Sequence, residues 1–511
     1  MTHRAKSRVR HPAITASAAP PVGRSSRVIP PVAPTLAPDV PLRLQVYRQL
    51  RSAIEHGNLP PGARLPPTRE QASLLGVSRN TVLWAMERLR AEGYVVAHVG
   101  RGSFVAEGFG PPVAWRRAVR AMAPVLSRRG QAIADIALRW LPPTQAAKPF
   151  RIGAPEVQTF PYAVWDRLSR QVSASERQSL AQYLDPAGWP PLREAIAQWL
   201  WASRGLRCDA AQVLVCSGSQ QALDLIGRLL LDPGDEVMVE DPGYPGIRAA
   251  LMGQGAQTRP VPLDDEGLDI DQGAERWPRA RLVVATPGCQ FPTGVRMSLA
   301  RRLALMIWAH RHDGWVVEDD YDGEFQYGAH RLPAMASLLQ ADRVLYVGTF
   351  SKALHPGLRL GFIVLPVSLV PAFAMARAVV DRHAPGDTQA VLARFIAEGH
   401  LLRHLNRMRD LYPARQARLR RLLAELSDGA LQLHAQHHGL HLLHEVRAGS
   451  ADHQVSARAM EAGVMLPPLS RYAIETQRRG RLFGYAGYDD TSLRRAAEAV
   501  APLLRRMGGR R

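Results

Sequence analysis

Lysine is nearly absent from this chain of 511 residues. Three occur, Lys6, Lys148 and Lys352, although lysine and arginine together number 65. A chain that uses arginine in place of lysine throughout is basic for that reason alone, so the net charge of +20 supports nucleic-acid binding weakly. The same scarcity draws attention to Lys352, which remains a lysine between several hydroxyl residues and an arginine.

Cysteines and long apolar runs are also scarce. The odd number of cysteines, at 208, 216 and 289, excludes a complete disulfide framework, and none has a paired zinc spacing, so we expect free thiols and no metal. No apolar run reaches the roughly 20 residues of a membrane span, and the N-terminus lacks the apolar core of a secretory signal. The sequence therefore predicts a cytoplasmic protein without a membrane partner.

The length predicts two or three domains. Residues 1–41 are rich in proline, alanine, serine and arginine, and we expect a disordered basic tail there. Residues 42–107 form a first module, 108–149 a linker with one loosely held helix and solvated arginines, and 150–511 a large domain.

Residues 42–107 have the pattern of a small helical module. Apolar residues recur at helical spacing over 44–54, before a stretch rich in glycine and proline. Thr68-Arg69-Glu70-Gln71 has the form of a capping box, so we expect Thr68 to cap a second helix that ends before Gly76. A third helix over 79–92 completes a helix-turn-helix pattern.

The third helix is the candidate DNA-reading element. We expect Ser78 to cap it and its first turn to face base edges in a major groove, where Arg79 could pair with guanine and Asn80 with adenine or a phosphate. Apolar segments on both sides of Gly100-Arg101-Gly102 predict a two-stranded wing. A capped, solvated helix start would explain any one of these residues, but not the whole module. The candidate DNA-binding residues are Arg64, Arg69, Ser78, Arg79, Asn80, Thr81 and Arg101.

The motifs of this module resemble those of the GntR family. Leu65-Pro66-Pro67-Thr68-Arg69-Glu70, Gly76-Val77-Ser78-Arg79-Asn80-Thr81-Val82 and Gly100-Arg101-Gly102-Ser103-Phe104-Val105 match its winged helix-turn-helix in order and spacing. Pro67 departs from the serine that is usual there. The resemblance implies that the module binds double-stranded operator DNA.

From residue 150 onward, short apolar runs alternate with helical segments. Five such runs lie at 213–215, 236–239, 282–285, 315–317 and 344–347. This alternation predicts an α/β domain with a mainly parallel sheet. In such sheets ligands bind at the carboxyl ends of the strands, which is where the polar motifs of this chain follow.

Two of these motifs have the composition of a pyridoxal phosphate (PLP) site. One run ends in Glu318-Asp319-Asp320-Tyr321-Asp322, and another leads into Thr349-Phe350-Ser351-Lys352 and, shortly after, Arg359. A lysine can bind the PLP aldehyde, an acid can pair with the pyridine nitrogen, and hydroxyls with an arginine can hold the phosphate. Spacing alone does not choose among Asp319, Asp320 and Asp322.

Two further strand ends carry groups of the same kind. Ser217-Gly218-Ser219-Gln220 precedes a helix whose N-terminal amides suit a phosphate, although many α/β turns have this composition without a ligand. The turn at 241–245 contains Tyr244, which could stack on a planar cofactor or belong to the core.

As an ordered set, these motifs resemble the fold-type I PLP enzymes of the aspartate aminotransferase class. Behind a GntR-type module, they resemble the MocR/GabR family of PLP-dependent transcriptional regulators. The resemblance implies an α/β protein with an N-terminal winged helix-turn-helix, a large domain built on a mainly parallel sheet, and a small C-terminal α+β subdomain.

The resemblance also implies roles for individual residues. Lys352 would form a Schiff base with PLP, Asp319 would pair with the pyridine nitrogen, and Tyr321 would hydrogen-bond the phenolic oxygen. Tyr244 would stack on the ring, and Tyr183 would reach a phosphate across a homodimer interface. Arg471 would bind the carboxylate of an effector, with Arg478, Arg479 and Arg481 as neighbouring alternatives. The remaining phosphate ligands would be Ser219, Gln220, Thr349, Ser351 and Arg359.

One departure separates this chain from working transaminases. They carry Asn-Pro-Thr-Gly where this chain has Phe291-Pro292-Thr293-Gly294. We therefore expect a homodimeric regulator that binds operator DNA and senses a small amino compound or PLP through PLP bound to Lys352. The alternatives are an active aminotransferase with an accessory DNA-binding module, and a DNA-binding protein whose large domain is an inactive dimerisation scaffold. The sequence identifies neither the effector nor the operator.

Overall fold

The structure is a computed structural model that describes residues 40–107, 126–140, 148–327, 332–339, 341–429, 431, 433, 436–447 and 449–508. The chain divides into two compact units, one within Met1–Val125 and one within Leu126–Arg511. The predicted tail, except for its last two residues, and most of the predicted linker lie outside the described residues.

The first unit contains three helices and three short strands around one apolar core. The core joins Val46, Leu50 and Ile54 of the first helix to Val82 and Met86 of the third, which confirms the predicted helical spacing. Its elements are α1 (Leu42–Glu55), β1 (Arg64–Leu65), α2 (Thr68–Leu75), α3 (Arg79–Ala91), β2 (Val95–His98) and β3 (Gly102–Val105).

One local prediction for this unit was wrong, and another was incomplete. The helix α2 begins at Thr68 itself, with Pro67 in the N-cap position and no side-chain cap hydrogen bond. Proline there fits the backbone geometry but offers no side-chain acceptor, so the capping box does not form. The predicted two-stranded wing is confirmed by the antiparallel pairing of β2 with β3, and β1 adds a third strand against β3 that was not predicted.

The second unit is built on an eight-stranded sheet. Its strand order is β4-β11-β10-β9-β8-β5-β6-β7. The five neighbouring strands β10, β9, β8, β5 and β6 run parallel, as predicted. Strand β11 is antiparallel to both β4 and β10, and β7 is antiparallel to β6. The strands are β4 (Val213–Cys216), β5 (Glu236–Asp241), β6 (Gln257–Asp264), β7 (Gly267–Leu268), β8 (Ala280–Ala285), β9 (Trp315–Asp320), β10 (Val344–Thr349) and β11 (Gly361–Val364).

Both faces of this sheet are buried. Along β4, Val213 and Val215 belong to one apolar cluster and Leu214 and Cys216 to another. Side chains of a strand alternate between faces, so this division places helices against each side of the sheet. The helices are α4 (Arg128–Trp140), α5 (Tyr162–Arg170), α6 (Ala174–Leu180), α7 (Pro190–Arg204), α8 (Ser219–Leu230), α9 (Pro245–Gly253), α10 (Ile270–Arg276), α11 (Leu299–Arg311), α12 (Phe350–Ala353), α13 (Val370–Asp381), α14 (Gly386–Ala397), α15 (His400–Leu426), α16 (Asp452–Glu461) and α17 (Asp490–Gly508).

The C-terminal part forms a small α+β subdomain. Strands β12 (His441–Val446) and β13 (Arg479–Gly484) pair antiparallel, and α15 and α16 pack against α17. An isolated bridge between Phe150 and Gly484 attaches the start of the large domain to this sheet. The subdomain therefore lies beside residues 151–153, which enter the candidate site.

The helix α4, in the region predicted as a linker, packs against α9 of the second unit. Arg129 donates to the carbonyl oxygen of Gly253 at 2.5 Å and to Gln254 at 3.2 Å. The prediction of a loosely held helix was therefore wrong, whereas Arg128 and Arg129 are exposed, as predicted. The sequence could not show that the carbonyl oxygen of Gly253, at the end of α9, accepts a hydrogen bond from Arg129. In the described part of the chain, no helix is long and apolar enough to cross a membrane.

Candidate cofactor site and DNA-reading helix

A cavity of about 520 Å³ lies at the carboxyl ends of β4, β5, β8, β9 and β10. Parallel strands bring their carboxyl ends to one edge of the sheet, so motifs distant in sequence meet there. Ten residues predicted for the cofactor and effector line this one cavity: Ser219, Gln220, Tyr244, Asp319, Tyr321, Thr349, Ser351, Lys352, Arg359 and Arg471.

Lys352 is placed in the cavity by the short helix α12, which follows β10 directly. Its Nζ donates to the carbonyl oxygen of Gly153 at 2.6 Å. A Cβ on Gly153, whose φ is +69°, would lie 3.0 Å from this amine, so the glycine lets the backbone approach. Burial, reinforced by Arg151, lowers the pKa of Lys352 to about 8. An amine with a lowered pKa is more often neutral, as a nucleophile must be.

The three acids at the end of β9 have different surroundings. Glu318 accepts the backbone amides of Met335 and Ala336, both at 2.8 Å. Asp320 pairs with Arg204 and accepts the hydroxyl of Tyr346 at 2.5 Å.

Asp319 points to the other face of the strand, into the cavity. Its buried Oδ1 has no hydrogen-bond partner among the described residues. Burial, with the nearby Asp320 and Glu240, raises the pKa of Asp319 to about 7. A buried carboxylate without a partner is unfavourable until a cation or donor reaches it, and a protonated pyridine nitrogen is such a donor.

The cavity also has the groups of an anion site. The helix α8 begins at Ser219, and Gly218 before it has φ +93°. A Cβ on Gly218 would lie 3.4 Å from the guanidinium of Arg359, which donates to the carbonyl oxygen of Ser217 at 2.9 Å. The hydroxyl of Thr349 accepts the amide of Ser351 at 3.2 Å. A helix N-terminus beside an arginine and hydroxyls suits a phosphate.

Phe291 is the centre of an aromatic cluster in the wall of the cavity. Its ring lies edge-on to four others, with centroid separations of 5.5 Å to Tyr244, 6.0 Å to Tyr321, 5.3 Å to Tyr472 and 5.8 Å to His441. Phenylalanine offers no hydrogen bond to the Tyr321 hydroxyl, which lies 3.6 Å from the sulfur of Cys289 instead. Burial raises the pKa of this thiol well above its usual value, so the thiol stays neutral.

The first turn of α3 is exposed, as a DNA-reading element requires. The Ser78 hydroxyl accepts the amide of Thr81 at 3.2 Å and lies 2.8 Å from its hydroxyl, which confirms the predicted cap. Arg79 and Asn80 project from this turn without burial. Arg64, Arg69 and Arg101 are also exposed.

Two family models match the chain. The model of aminotransferase class I and II matches residues 152–500, and that of the bacterial regulatory proteins of the gntR family matches residues 42–105. The probable rhizopine catabolism regulatory protein MocR of Rhizobium meliloti is 39% identical over 468 residues, which cover 90% of this chain and 93% of that protein. The chain belongs to the MocR type of GntR-family proteins.

Two other relatives align with this chain over most of their length. The HTH-type transcriptional regulator TauR of Rhodobacter capsulatus is 31% identical, with 91% of this chain and 96% of that protein covered. The HTH-type pyridoxine biosynthesis transcriptional regulator PdxR of Corynebacterium glutamicum is 29% identical, with 88% and 93% covered.

Solved aminotransferases share the fold of the second unit of this MocR-type chain. LysN, an α-aminoadipate aminotransferase of Thermus thermophilus, has a TM-score of 0.65 and 27% identity, and covers 75% of this chain and 99% of its own. Kynurenine aminotransferase of Pyrococcus horikoshii has a TM-score of 0.65 and 26% identity, with 76% and 96% covered. The α/β fold-type I architecture is thereby confirmed.

One predicted cofactor ligand of this MocR-type chain lies outside its own cavity. Tyr183 is 84% exposed, and its ring lies against the guanidinium of Arg382 and the ring of His383, just after α13. The prediction placed it at the cavity of a second subunit, and it remains a prediction for the dimer.

Sequence reasoning missed several residues that line the cavity. Arg151 enters from the segment that bridges to β13, and Met465 and Tyr472 come from the C-terminal subdomain. His441, at the start of β12, lies 2.9 Å from the carbonyl oxygen of Pro292, and burial lowers its pKa to about 4, so the ring is neutral. None lies in a glycine-rich or acidic motif, and their meeting depends on how the subdomain closes over the sheet edge.

Proposed function

We propose that this protein is a transcriptional regulator that binds operator DNA through its winged helix-turn-helix and senses a small amino compound, or PLP itself, through PLP held at Lys352. The observation that carries the proposal is the meeting of the Lys352 amine and the unpartnered Asp319 oxygen in one cavity. An amine can bind the aldehyde of a pyridoxal ring, and a carboxylate can pair with the pyridine nitrogen of the same ring. The full-length relatives named as regulators support the DNA-binding half.

The residues of the cavity divide the work of holding PLP. Asp319 would hold the proton of the pyridine nitrogen, and Tyr244 would cover one face of the ring. Ser219, Gln220, Thr349, Ser351 and Arg359 would bind the phosphate, and Tyr321 would donate to the phenolic oxygen. PLP, when bound, supplies an aldehyde that exchanges one amine for another. Lys352 would supply the resident amine, and Arg471 would orient the carboxylate of an incoming amino compound.

The first unit would read the operator through α3. Arg79 and Asn80 would contact base edges, and Ser78 and Thr81 would keep the first turn of the helix in place for them. Arg64, Arg69 and Arg101 would contact phosphates, and these contacts position the module without reading sequence.

We also propose that the protein is a homodimer. The exposed surface around Tyr183 continues along α13, where Met375 and Val379 are 64% and 85% exposed. Exposed apolar side chains grouped in this way mark an interface. A second copy against this surface would bring Tyr183 toward the partner's cavity and two α3 helices to a two-fold related operator.

An active aminotransferase with an accessory DNA-binding module is the second candidate. It is favoured by the lowered pKa of Lys352, because a lysine that is partly neutral can also act as a base. Stoichiometric formation of pyridoxamine phosphate with one amino acid, followed by turnover with a keto acid, would support it. Phe291, in the place of the asparagine of transaminases, favours sensing.

The test pairs two titrations of the purified protein. Amino acids, simple amines and PLP are added singly, while the visible absorption of bound PLP and the affinity for the protein's own promoter are followed. We expect at least one compound to change both signals at the same concentration. If compounds change the absorption while promoter affinity stays constant, the sensing proposal is contradicted.

A further inference from the structure

Residues 469–476, which we call the Arg471 segment, are held at two places by buried aspartates. Asp452, at the start of α16, is fully buried. Its carboxylate accepts the hydroxyl of Ser470 at 2.6 Å, the amide of Ser470 at 3.1 Å and the amide of Gly480 at 3.2 Å. These partners belong to the C-terminal subdomain, so this contact organises the subdomain internally.

The second aspartate, Asp241, comes from the large sheet. It is the last residue of β5 and is 4% exposed. Its Oδ1 accepts the amide of Ile474 at 2.7 Å, and its Oδ2 accepts those of Glu475 and Thr476 at 2.7 and 2.8 Å. One carboxylate thus holds three consecutive amides of another subdomain.

The same strand end leads into the cofactor side of the cavity. Tyr244 lies three residues after Asp241, and between them the amide of Gly243 donates to the carbonyl oxygen of Tyr472 at 3.1 Å. Tyr472 in turn contacts Phe291, the centre of the aromatic cluster. The turn after β5 therefore connects Tyr244, which would cover one face of the PLP ring, to the Arg471 segment.

A strand end needs no carboxylate to complete a sheet. Burying one is unfavourable unless its hydrogen bonds replace those of water, and Asp241 satisfies this condition entirely through amides of the Arg471 segment. Carboxylate-to-amide hydrogen bonds are stronger than neutral ones, so three of them restrict the backbone immediately after Arg471.

We propose that Asp241 is a positioning residue, which sets Arg471 at the distance from the ring site that an α-carboxylate requires. The inference rests on the proposed function, because it assumes that Arg471 binds the effector carboxylate. Asp241 itself contacts neither the ring site nor the effector. Its loss should therefore weaken the binding of ligands that carry a carboxylate more than the binding of ligands that lack one.

The test uses Asp241→Asn in the full-length protein freed of its cofactor. Asparagine keeps the volume, but its NH₂ group must face either Ile474 or the pair Glu475 and Thr476, so at least one amide loses its acceptor. The probes are N-(5′-phosphopyridoxyl)-L-leucine and the same adduct of 3-methylbutylamine, which differs only by lacking the carboxylate. The measured quantity is the affinity for the leucine adduct divided by the affinity for the 3-methylbutylamine adduct.

We expect Asp241→Asn and Arg471→Ala each to lower this ratio about tenfold, while the affinity for the carboxylate-free adduct changes less than about twofold. In the Arg471→Ala background, Asp241→Asn should add nothing, because the two residues act on one contact. Hydrogen exchange at 474–476 should quicken. Glu475→Gln is the matched control, since it breaks only the exposed ion pair with Arg276 and should leave the ratio unchanged.

The remaining outcomes overturn the inference in distinguishable ways. If Arg471→Ala lowers the ratio and Asp241→Asn does not, Asp241 has no positioning role and the proposed function stands. If Asp241→Asn weakens both adducts equally, Asp241 supports the cavity as a whole. If Arg471→Ala leaves the ratio unchanged, or neither adduct binds, the effector site itself is misassigned and both proposals fail.

Discussion

The two candidate sites of this protein place their functional groups in opposite environments. In the first unit, Arg79 and Asn80 are exposed on a helix whose other face fills an apolar core. In the second unit, Lys352 and Asp319 lie in a cavity, and burial displaces the pKa of each. A site for a polyanion works through exposed charge, whereas a site for reactive chemistry works by withholding water. Changes in the two sites should therefore have separate effects.

The largest expected effect is that of Lys352→Ala. Without the amine, residue 352 cannot form an imine with PLP, and the visible absorption band of that imine should disappear completely. Binding to promoter DNA should persist, because α3 lies in another unit. Lys148→Ala is the matched control, since it removes the other lysine of the described residues and should leave the band intact. If Lys352→Ala abolished promoter binding as well as the absorption band, the two sites would not be separate.

Asp319→Asn should stabilise the cofactor-free protein at high pH. Burial raises the pKa of Asp319 from 3.8 to about 7, so the folded state holds a proton that the unfolded state has released. The contribution of Asp319 to the free energy of unfolding is therefore most favourable below pH 4, and it is lost as the pH rises toward 7. The asparagine variant should gain at most about 4 kcal/mol at pH 8 and nothing at pH 4.

Denaturant titrations of the cofactor-free protein at both pH values would measure this gain, and PLP affinity should fall in the same variant. Glu236→Gln is the control, since it removes a carboxylate that is paired with Arg259 at the beginning of β5. We do not expect this variant to gain stability between pH 4 and pH 8. A pH-independent effect of Asp319→Asn would show that the carboxylate is not held in a desolvated state.

Arg79→Ala should weaken specific promoter binding by about 1–3 kcal/mol, because one base-edge contact is lost. Binding to unrelated DNA should weaken much less, and the absorption of bound PLP should not change. Arg207→Ala, which removes one positive charge from the second unit, controls for the loss of net charge. The assignment of α3 is refuted if Arg79→Ala weakens specific and non-specific binding to the same extent.

The smallest expected effect is that of Ser78→Ala. Loss of the N-cap should destabilise the first turn of α3 by about 1 kcal/mol, so the Thr81 amide should exchange about fivefold faster. Hydrogen-exchange mass spectrometry of the full-length protein measures this directly. Ser73→Ala, on the exposed surface of α2, is the control. Unchanged exchange in the Ser78 variant would mean that the cap does not hold the reading turn.

The sequence alone predicted those parts of the molecule that depend on local pattern. The spacing of apolar residues placed α1, α3 and the strands β4, β5, β8, β9 and β10. The strand-end motifs identified nine residues that share one cavity, and the resemblance added Arg471. Asp319 could be separated from Asp320 only by the resemblance. In the structure, the alternation of side chains along β9 separates them, because Arg204 and Tyr346 engage Asp320 on the other face.

What the sequence could not predict depends on contacts between distant segments. Arg151, His441 and Tyr472 reach the cavity because the subdomain closes on the sheet edge, and no local pattern records that. The absence of a cap at Thr68 has a local cause in Pro67, but a capping-box motif does not reveal which residue the helix begins with. The pairing of β1 with β3 is likewise a contact across the module.

The most direct measurement uses the scarcity of lysine in this chain. The purified protein is reduced with borohydride, digested and examined by mass spectrometry for a pyridoxyl group on each of its three lysines. We expect the adduct on Lys352 alone, in a preparation that also binds its promoter. Recovery of an unmodified Lys352 from a preparation incubated with PLP would contradict it.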